Sequence, residues 1–179
     1  NGEFRFTPCN GVTYTISGTD FTVPSYGDRL VGDETSAPNP SFVGFKISDI
    51  FFHRNRLGFL SDETVVLSRA GEFFQFYPET VTTILDSDPI DVSVSHQKVS
   101  ILRHAIPFNE DLLLFSDQSQ FVLKGGQILT ASNVDISVTT DFENSKSVKP
   151  VAAGKNIYFA FNKGNFTGVR EFFIRPDSD

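Results

Sequence analysis

Four consecutive polar residues carry the side chains best suited to chemistry in this sequence, and they interrupt an otherwise apolar run. They are His53, Arg54, Asn55 and Arg56. Two arginines this close can hold a phosphate or a carboxylate through paired hydrogen bonds, which would make the run an anion-binding site. The alternative, which we favour, is a tight turn whose arginines form ion pairs with Asp62, Glu63 or a neighbouring unit of the fold. No nucleophile with an adjacent base lies nearby.

A second polar cluster contains Asp86, Asp88 and Asp91, in the string LDSDPIDV. Its carboxylates suggest a calcium site, but the sixth and twelfth positions lack the glycine and the glutamate of an EF-hand loop. We therefore interpret the cluster as an acidic turn that leads into a strand. The adjacent acids Glu110 and Asp111 point apart on an extended chain. We predict no cofactor, no metal site and no enzymatic activity, and a hydrolase that uses these carboxylates is the weakest of our hypotheses.

The composition indicates an all-β protein. The 179 residues include 20 Phe and 4 Tyr but no Trp and no Met, and phenylalanine favours pleated, half-buried surfaces. The formal net charge of -7 argues against a broad basic face that grips phosphates. No apolar run is long enough for a membrane-spanning helix, and Cys9 has no partner for an internal disulfide. Because the chain lacks an initiator methionine, we expect it to be a piece of a longer protein.

The patterning divides the chain into three parts. Residues 1–30 form an N-terminal β-hairpin segment, because residues 3–23 alternate apolar and polar side chains around an Asn10-Gly11 turn. This segment is a candidate part of a neighbouring domain. Residues 31–41 are rich in proline, glycine and acids and form a linker. Residues 42–175 form a propeller-like β-domain of antiparallel meanders.

A repeat runs through the third part. The strings LGFLSDETVVLSRAG and LLLFSDQSQFVLKGG share one pattern, in which a strand, a Ser-Asp corner, a second strand and a basic residue follow one another. Asp62 and Asp117 occupy equivalent corners, Arg69 ends the first unit, and Asn162 marks the corner of a looser third unit between residues 156 and 173. The copies lie roughly 45 to 55 residues apart, as propeller blades do. We expect the corner side chains to accept hydrogen bonds from the backbone N–H groups of the turn.

The repeat also assigns a role to the polar run at residues 53–56, which has no counterpart in the other two copies. Each unit is a small meander whose apolar faces only its neighbours can cover. Three units are too few to close a propeller, so the ring is either completed by further chain or left as an open arc. We therefore expect Arg54 or Arg56 to form an ion pair between blades or between subunits.

Four strings of this sequence resemble the tail tubular protein B family, the tail nozzle proteins of short-tailed T7-like bacteriophages. They are PSFVGFKISDIFFHRNRLGFLSDE, DSDPIDVSVS, AIPFNEDLLLFSDQSQFVL and VAAGKNIYFAF. The resemblance runs from about Arg29 to Phe173, in the same order and with similar spacing. Residues 1–28 do not share it.

The resemblance implies a structural protein of the virion, made in the host cytoplasm and located in the phage tail. Such proteins assemble as a homo-hexameric ring below the tail adaptor protein, form a conduit through which DNA passes without sequence-specific binding, and help to anchor the tail fibre. They include a propeller-like β-domain and carry no catalytic motif that can be placed on this sequence. The polar residues singled out above are therefore expected to be structural or interface residues.

A β-rich module that binds a glycan or another tail protein is the alternative function. Its exposed aromatic side chains would provide the contact surface. The absence of tryptophan argues against sugar stacking, because tryptophan is a large aromatic platform with an N–H donor to spare.

Overall fold

A computed structural model describes residues 6–173, which form β-strands and no helix. The strands are β1 (Thr13–Ile16), β2 (Thr19–Thr22), β3 (Ile47–His53), β4 (Arg56–Ser61), β5 (Thr64–Leu67), β6 (Ile90–Ser93), β7 (Leu102–Phe108), β8 (Asp111–Ser116), β9 (Gln120–Lys124), β10 (Asp135–Thr140), β11 (Val151–Ala153), β12 (Asn156–Lys163) and β13 (Phe166–Phe173). The all-β prediction is confirmed. The described residues contain no helix long and apolar enough to cross a membrane.

Consecutive strands pair in chain order, so each sheet is an antiparallel meander. Sheet 1 has the order β3-β4-β5-β6, sheet 2 has the order β7-β8-β9-β10, and sheet 3 has the order β11-β12-β13. None of them is closed into a barrel. Strands β1 and β2 form a separate two-stranded hairpin. The predicted repeat of small meanders is therefore present, with one meander for each copy seen in the sequence.

The N-terminal hairpin turns at a different place from the one predicted. Ser17 and Gly18 connect β1 to β2, and both have positive φ, at 51° and 80°. Asn10 instead forms an isolated bridge with Ser25, and its side chain accepts a hydrogen bond from the backbone N–H of Val12 at 3.2 Å. A two-residue turn with two left-handed residues matches the twist of the flanking strands, and Ser-Gly meets that need here. Residues 3–5 of the predicted hairpin lie outside the described part of the chain.

The third repeat also has its corner shifted. Asn162 pairs with Thr167 within the β12–β13 ladder, and the turn itself is made by Gly164 and Asn165. Gly164 has a φ of 59°, a left-handed conformation that glycine adopts without steric cost. Strand β12 has eight residues where β4 and β8 have six, so the same corner comes two residues later.

The three sheets stack face to face, and a continuous apolar core fills each gap. Sheets 1 and 2 are joined by buried side chains from both, among them Phe51, Leu60, Leu67, Ile90, Leu112, Leu114, Phe121 and Leu123. The other face of sheet 2 packs on sheet 3 through Ile106, Phe108, Leu113, Phe115, Val122, Ile157 and Phe159. Sheet 2 is therefore buried on both faces, which explains why β8 reads as the uninterrupted apolar run LLLF.

The outer face of sheet 1 is covered by loops rather than by another sheet. Phe59 projects from β4 onto this face and meets Phe42 and Phe76, with ring centroids 5.1 Å and 5.3 Å away. Phe42 and Phe76 meet edge to face at 5.2 Å. Tyr26 reaches the same cluster through Phe74 and Phe76. Four phenylalanines are thus used where loops must seal a sheet, and edge-to-face contacts favour that packing. The division of the chain at residues 30 and 41 stays a prediction.

Gly58 pairs with Phe51 on β3 and with Leu67 on β5, and it provides a test of the core. A Cβ atom at this position would come within 2.3 Å of the Phe51 ring and within 2.8 Å of Leu67 Cδ2. Both neighbours are buried, so neither can move aside. We expect Gly58→Ala to lower the free energy of unfolding by about 1–3 kcal/mol, as overpacking typically does, measured by urea denaturation.

The matched control is Gly126→Ala. There the atom nearest to an added Cβ would be Asn133 Nδ2 at 3.2 Å, and the next lies 3.8 Å away, so only a small shift is needed. This variant should lose less than about 0.5 kcal/mol. Equal losses in the two variants would contradict the close packing of Phe51 and Leu67 on Gly58.

Candidate functional site

The run from His53 to Arg56 forms the turn between β3 and β4. His53 and Arg56 pair across the hairpin, and Arg54 and Asn55 make the turn with φ values of 46° and 61°. The first turn residue of the corresponding hairpin in sheet 2 is Asn109, with φ 56°, and in sheet 3 it is Gly154, with φ 64°. The run therefore does have positional counterparts in the other two meanders, contrary to the prediction from the sequence repeat. They share a left-handed backbone conformation and not a side-chain type, which is why no common string reveals them.

Arg56, the first residue of β4, is fully buried with 1% of its surface exposed. Its guanidinium donates to five backbone carbonyl oxygens, which belong to Ser68 (2.8 Å), Ser87 (3.3 Å), Asp88 (2.6 Å), Asp86 (2.8 Å) and Leu129 (3.1 Å). One side chain thus fixes the end of β5, the loop at residues 86–88 and the loop that follows β9 in sheet 2. The predicted ion pair with Asp62 or Glu63 is wrong, because those residues lie in the turn at the opposite end of β4.

The electrostatics of Arg56 follow from this burial. Loss of water lowers the pKa of the guanidinium, and the carboxylate of Asp88 opposes that shift. Carbonyl dipoles replace the lost water, since the four N–H groups of Nη1 and Nη2 point at the five oxygens and one of the Nη1 donors is shared. The charge is accommodated by oriented backbone groups. Removing it would leave four of those oxygens without a donor, while the Ser87 oxygen would keep its hydrogen bond from the backbone N–H of Ala70 at 3.0 Å.

Arg54 joins the same two sheets from the edge of the turn. Its Nε donates to the carbonyl oxygen of Glu110 at 3.0 Å, and its Nη1 donates to that of Gly126 at 2.6 Å. Arg54 and Arg56 together line an open groove of about 500 Å³ between sheets 1 and 2. Both contact carbonyl groups of the neighbouring meander, so the contacts do run between sheets, but they are hydrogen bonds to backbone where an ion pair was expected.

The two Ser-Asp corners lie at the far end of these strands. The Asp62 carbonyl oxygen accepts from the backbone N–H of Leu102 at 2.7 Å, and that of Asp117 accepts from Asn144 at 3.1 Å. Each corner therefore holds the chain segment that leads into the next sheet. Of the predicted contacts within the turn, the Ser116 hydroxyl oxygen makes two, accepting from the backbone N–H groups of Ser119 at 3.0 Å and Gln118 at 3.4 Å.

The carboxylate of Asp117 has other partners. It accepts from Arg103 at 2.8 Å and 3.2 Å and lies 3.2 Å from the Lys146 ammonium. The hydrogen bond from Arg103 is the largest of the effects that lower the pKa of Asp117. Sequence reasoning missed Arg103, which lies on β7; the hydrogen bond to Asp117 is the largest effect that raises its pKa, and the charge of Asp62 adds a smaller one. Arg69, by contrast, pairs locally with Glu72 and Glu79 in the loop after β5.

A further contact that sequence reasoning missed links all three meanders. The carboxylate of Asp49, on β3, accepts from the backbone N–H of Ala105 on β7 at 2.9 Å. It also accepts from Lys149 Nζ at 2.6 Å and 2.8 Å, just before β11 begins. No local sequence pattern predicts this contact, because Asp49 and Lys149 are 100 residues apart.

His53 lies beside the two arginines and is 6% exposed. Burial lowers its pKa to about 4, the charge of Arg54 acts in the same direction, and Asp111 opposes them. The imidazole is therefore neutral at neutral pH. The equivalent position in sheet 2 is the buried Phe108, so His53 sits in an apolar site of the fold.

Two acids of the LDSDPIDV string also make contacts within the fold. The carboxylates of Asp88 and Asp91 accept backbone N–H groups of Leu85 and Ser41, at 2.8 Å and 2.7 Å. Among residues 6–173, no group of three or more His, Cys, Asp and Glu side chains is placed to hold a metal ion. The geometry defines a structural β-domain, in which stacked meanders are cross-linked by arginine–carbonyl contacts and by the ion pair between Asp49 and Lys149.

The chain belongs to the bacteriophage nozzle protein family, whose model matches residues 1–179. The resemblance drawn from the four strings is confirmed, and the family match also includes residues 1–28. A curated relative is the tail tubular protein gp12 of Escherichia phage T7, which is 42% identical over 158 residues. That alignment covers 88% of this chain and 20% of the relative. The chain thus spans about a fifth of the length of the relative it matches.

Arg56 gives the sharpest test of the site. We expect Arg56→Ala to lower the free energy of unfolding by about 3–5 kcal/mol, because it leaves buried carbonyl groups without donors. Arg56→Lys should recover only part of the loss, since an ammonium group has three donors and no planar fork. Arg54→Ala should cost less, about 1–2 kcal/mol, because it removes two hydrogen bonds that lie at the exposed edge of the turn. Chemical denaturation measures all three, with the exposed Lys163→Ala as a control. A loss below about 1 kcal/mol for Arg56→Ala would contradict the assigned role.

His53 predicts how stability depends on pH. The pKa of His53 is about 4 in the folded chain and near 6.5 when unfolded, so the unfolded chain binds the proton more readily between these values. Its contribution is complete above about pH 6.5 and is lost as the pH falls towards 4, by up to roughly 3 kcal/mol. Urea denaturation between pH 7 and 4 measures this loss.

His53→Phe is the matched control, because phenylalanine already occupies the equivalent position of sheet 2. This variant should lose clearly less stability over the same pH range than the parent chain. Identical pH profiles for the two proteins would show that His53 is not the group that titrates.

Proposed function

We propose that this chain is a structural segment of a bacteriophage tail nozzle, within a longer polypeptide that assembles with other tail proteins. The observation that carries the proposal is the family match over the whole chain, together with the identity to the T7 tail tubular protein. The fold is consistent with a mechanical role, because its polar side chains cross-link sheets and strand ends. On this view the segment has no enzymatic activity, and its location is the tail of the virion.

The finer proposal concerns assembly. We infer that the full polypeptide forms a homo-hexameric ring that docks to the tail adaptor protein and the tail fibre and conducts DNA during ejection. Cyclic symmetry requires two different surface patches of each subunit to meet around the ring. Exposed apolar side chains are available for such contacts on the described surface, among them Leu30 at 83%, Phe45 at 64% and Ile84 at 71% exposure.

Electron microscopy of the full-length polypeptide tests the ring. Six-fold rings with a central hole, able to bind purified adaptor protein, are the expected result. A full-length protein that stays monomeric and does not bind the adaptor would overturn the proposal. Arg56→Ala, made in the full-length polypeptide, separates folding from assembly, since it should reduce rings in proportion to the loss of folded subunits.

The charge of the segment predicts how it behaves towards DNA. Each phosphate that a protein neutralises adds affinity, which would slow a moving duplex. With a net charge of -7, the chain should bind duplex DNA more weakly than the roughly 10⁻⁴ M limit of ordinary non-specific binding, even at low salt. Fluorescence anisotropy with a labelled duplex measures this. Micromolar binding with a steep salt dependence would contradict the conduit proposal.

A further inference from the structure

Sheet 3 lacks a strand that the other two sheets have. Sheets 1 and 2 each end in a fourth strand, β6 and β10, which pairs with the outer edge of the third strand. In sheet 3 no described strand pairs with the outer edge of β13, although β13 is eight residues long. Such an edge presents a row of backbone N–H and C=O groups that another strand can pair with.

The flank of β13 is also shaped to receive side chains. A groove of about 390 Å³ runs between β13 and the end of β10, lined by Thr140, Phe142, Phe159, Arg170 and Phe172, among others. Phe159 belongs to the core between sheets 2 and 3, and Phe172 packs against that core. The groove therefore extends the apolar core between sheets 2 and 3 to the solvent-exposed side of β13.

Arg170 places an unsatisfied donor in this groove. Its guanidinium lies over two rings, 4.4 Å from the centroid of Phe142 and 4.2 Å from that of Phe161. The Nε atom is buried and has no hydrogen-bond partner among the described residues. A buried donor without an acceptor costs about 1–3 kcal/mol, so the site is complete only when an acceptor arrives.

Sheet 2 shows where such an acceptor comes from. Its third strand carries the fully buried Gln120. The Thr140 and Thr139 hydroxyls of β10 donate to Gln120 Oε1 at 2.7 Å and to the Gln120 carbonyl oxygen at 3.0 Å. The acceptor comes from just beyond that strand, since the carbonyl oxygen of Phe142 accepts from Gln120 Nε2 at 2.8 Å. The fourth strand and the residues that directly follow it thus supply the polar partners of a buried third-strand side chain.

We propose that the outer edge of β13 receives a fourth antiparallel strand from the same polypeptide, from a segment outside residues 6–173. The two complete sheets define the chemistry of that strand. Ile90 and Val92 of β6 and Ile136 of β10 all pack against the core between sheets 1 and 2. The incoming strand therefore carries β-branched aliphatic side chains at alternate positions facing sheet 2, together with a hydroxyl, carbonyl or carboxylate oxygen that accepts from Arg170 Nε.

The choice of the same polypeptide rests on the two complete sheets. In both, the fourth strand follows the third in the chain, after connections at residues 68–89 and 125–134. A strand donated by a neighbouring subunit of the ring would be a different arrangement, and the experiment below separates the two.

Hydrogen exchange with residue-level mass spectrometry, applied to the full-length polypeptide before ring assembly, tests the proposal. If β13 is covered, consecutive amides from Thr167 to Phe172 should all exchange slowly, as those of the covered third strand β9 do. Their rates should lie within about tenfold of the β9 rates. The edge strand β10 of the same molecule is the internal control, since there only alternate amides, which face β9, should be protected.

Alternating fast and slow amides along β13 would show an open edge and overturn the proposal. Protection of β13 that appears only after ring assembly would overturn it as well, because a neighbouring subunit would then supply the strand.

Arg170→Met in the full-length polypeptide adds a second readout, since methionine fills the groove without needing an acceptor. If an acceptor from the added strand satisfies Arg170, the β13 amides of this variant should stay protected. The amides of the residues that face position 170 should exchange at least threefold faster than in the parent protein. Unchanged exchange there would remove Arg170 from the proposed contact.

Discussion

A buried guanidinium without a carboxylate partner holds the first part of this fold together. Arg56 donates to carbonyl groups from the end of β5, from the loop before β6 and from the loop after β9. That second loop belongs to the long segment between β5 and β6, which also brings Phe76 onto the outer face of sheet 1. Arg56 thus contributes at once to the position of this segment, to the sealing of sheet 1 and to the contact with sheet 2.

The stacking of the meanders explains the rest of the architecture. Each sheet offers two faces, and only a neighbouring sheet or a loop can remove both from water. Sheet 2 has a sheet on either side, so Leu112 and Leu114 of β8 face sheet 1 while Leu113 and Phe115 face sheet 3. Sheet 1 uses loops for its second face and needs aromatic side chains to do so. The polar network is correspondingly confined to turns and strand ends, where the sheets are tied to each other.

The sequence was sufficient to predict the elements that depend on local patterning. The strand content, the repeated meander and the Ser-Asp corners at Asp62 and Asp117 all follow from alternation and turn chemistry. Turn positions were less secure, because Asn10-Gly11 and Ser17-Gly18 both satisfy the same local rules and only the pairing of Thr13 with Thr22 decides between them. The partners of Arg54 and Arg56 were beyond prediction, since a backbone carbonyl leaves no trace in the sequence and becomes an acceptor only where the fold places it.

The contact between Asp49 and Lys149 has a consequence for the order of events during synthesis. The ribosome adds about 5–20 residues per second, so Lys149 emerges roughly 5–20 s after Asp49, given their separation of 100 residues. In that interval sheets 1 and 2 can close over their shared core, and the backbone N–H of Ala105 can already donate to Asp49. The Asp49 carboxylate then still lacks its ion-pair partner. Sheet 3 then meets a preformed surface. The order of synthesis thus allows each meander to dock on the one made before it.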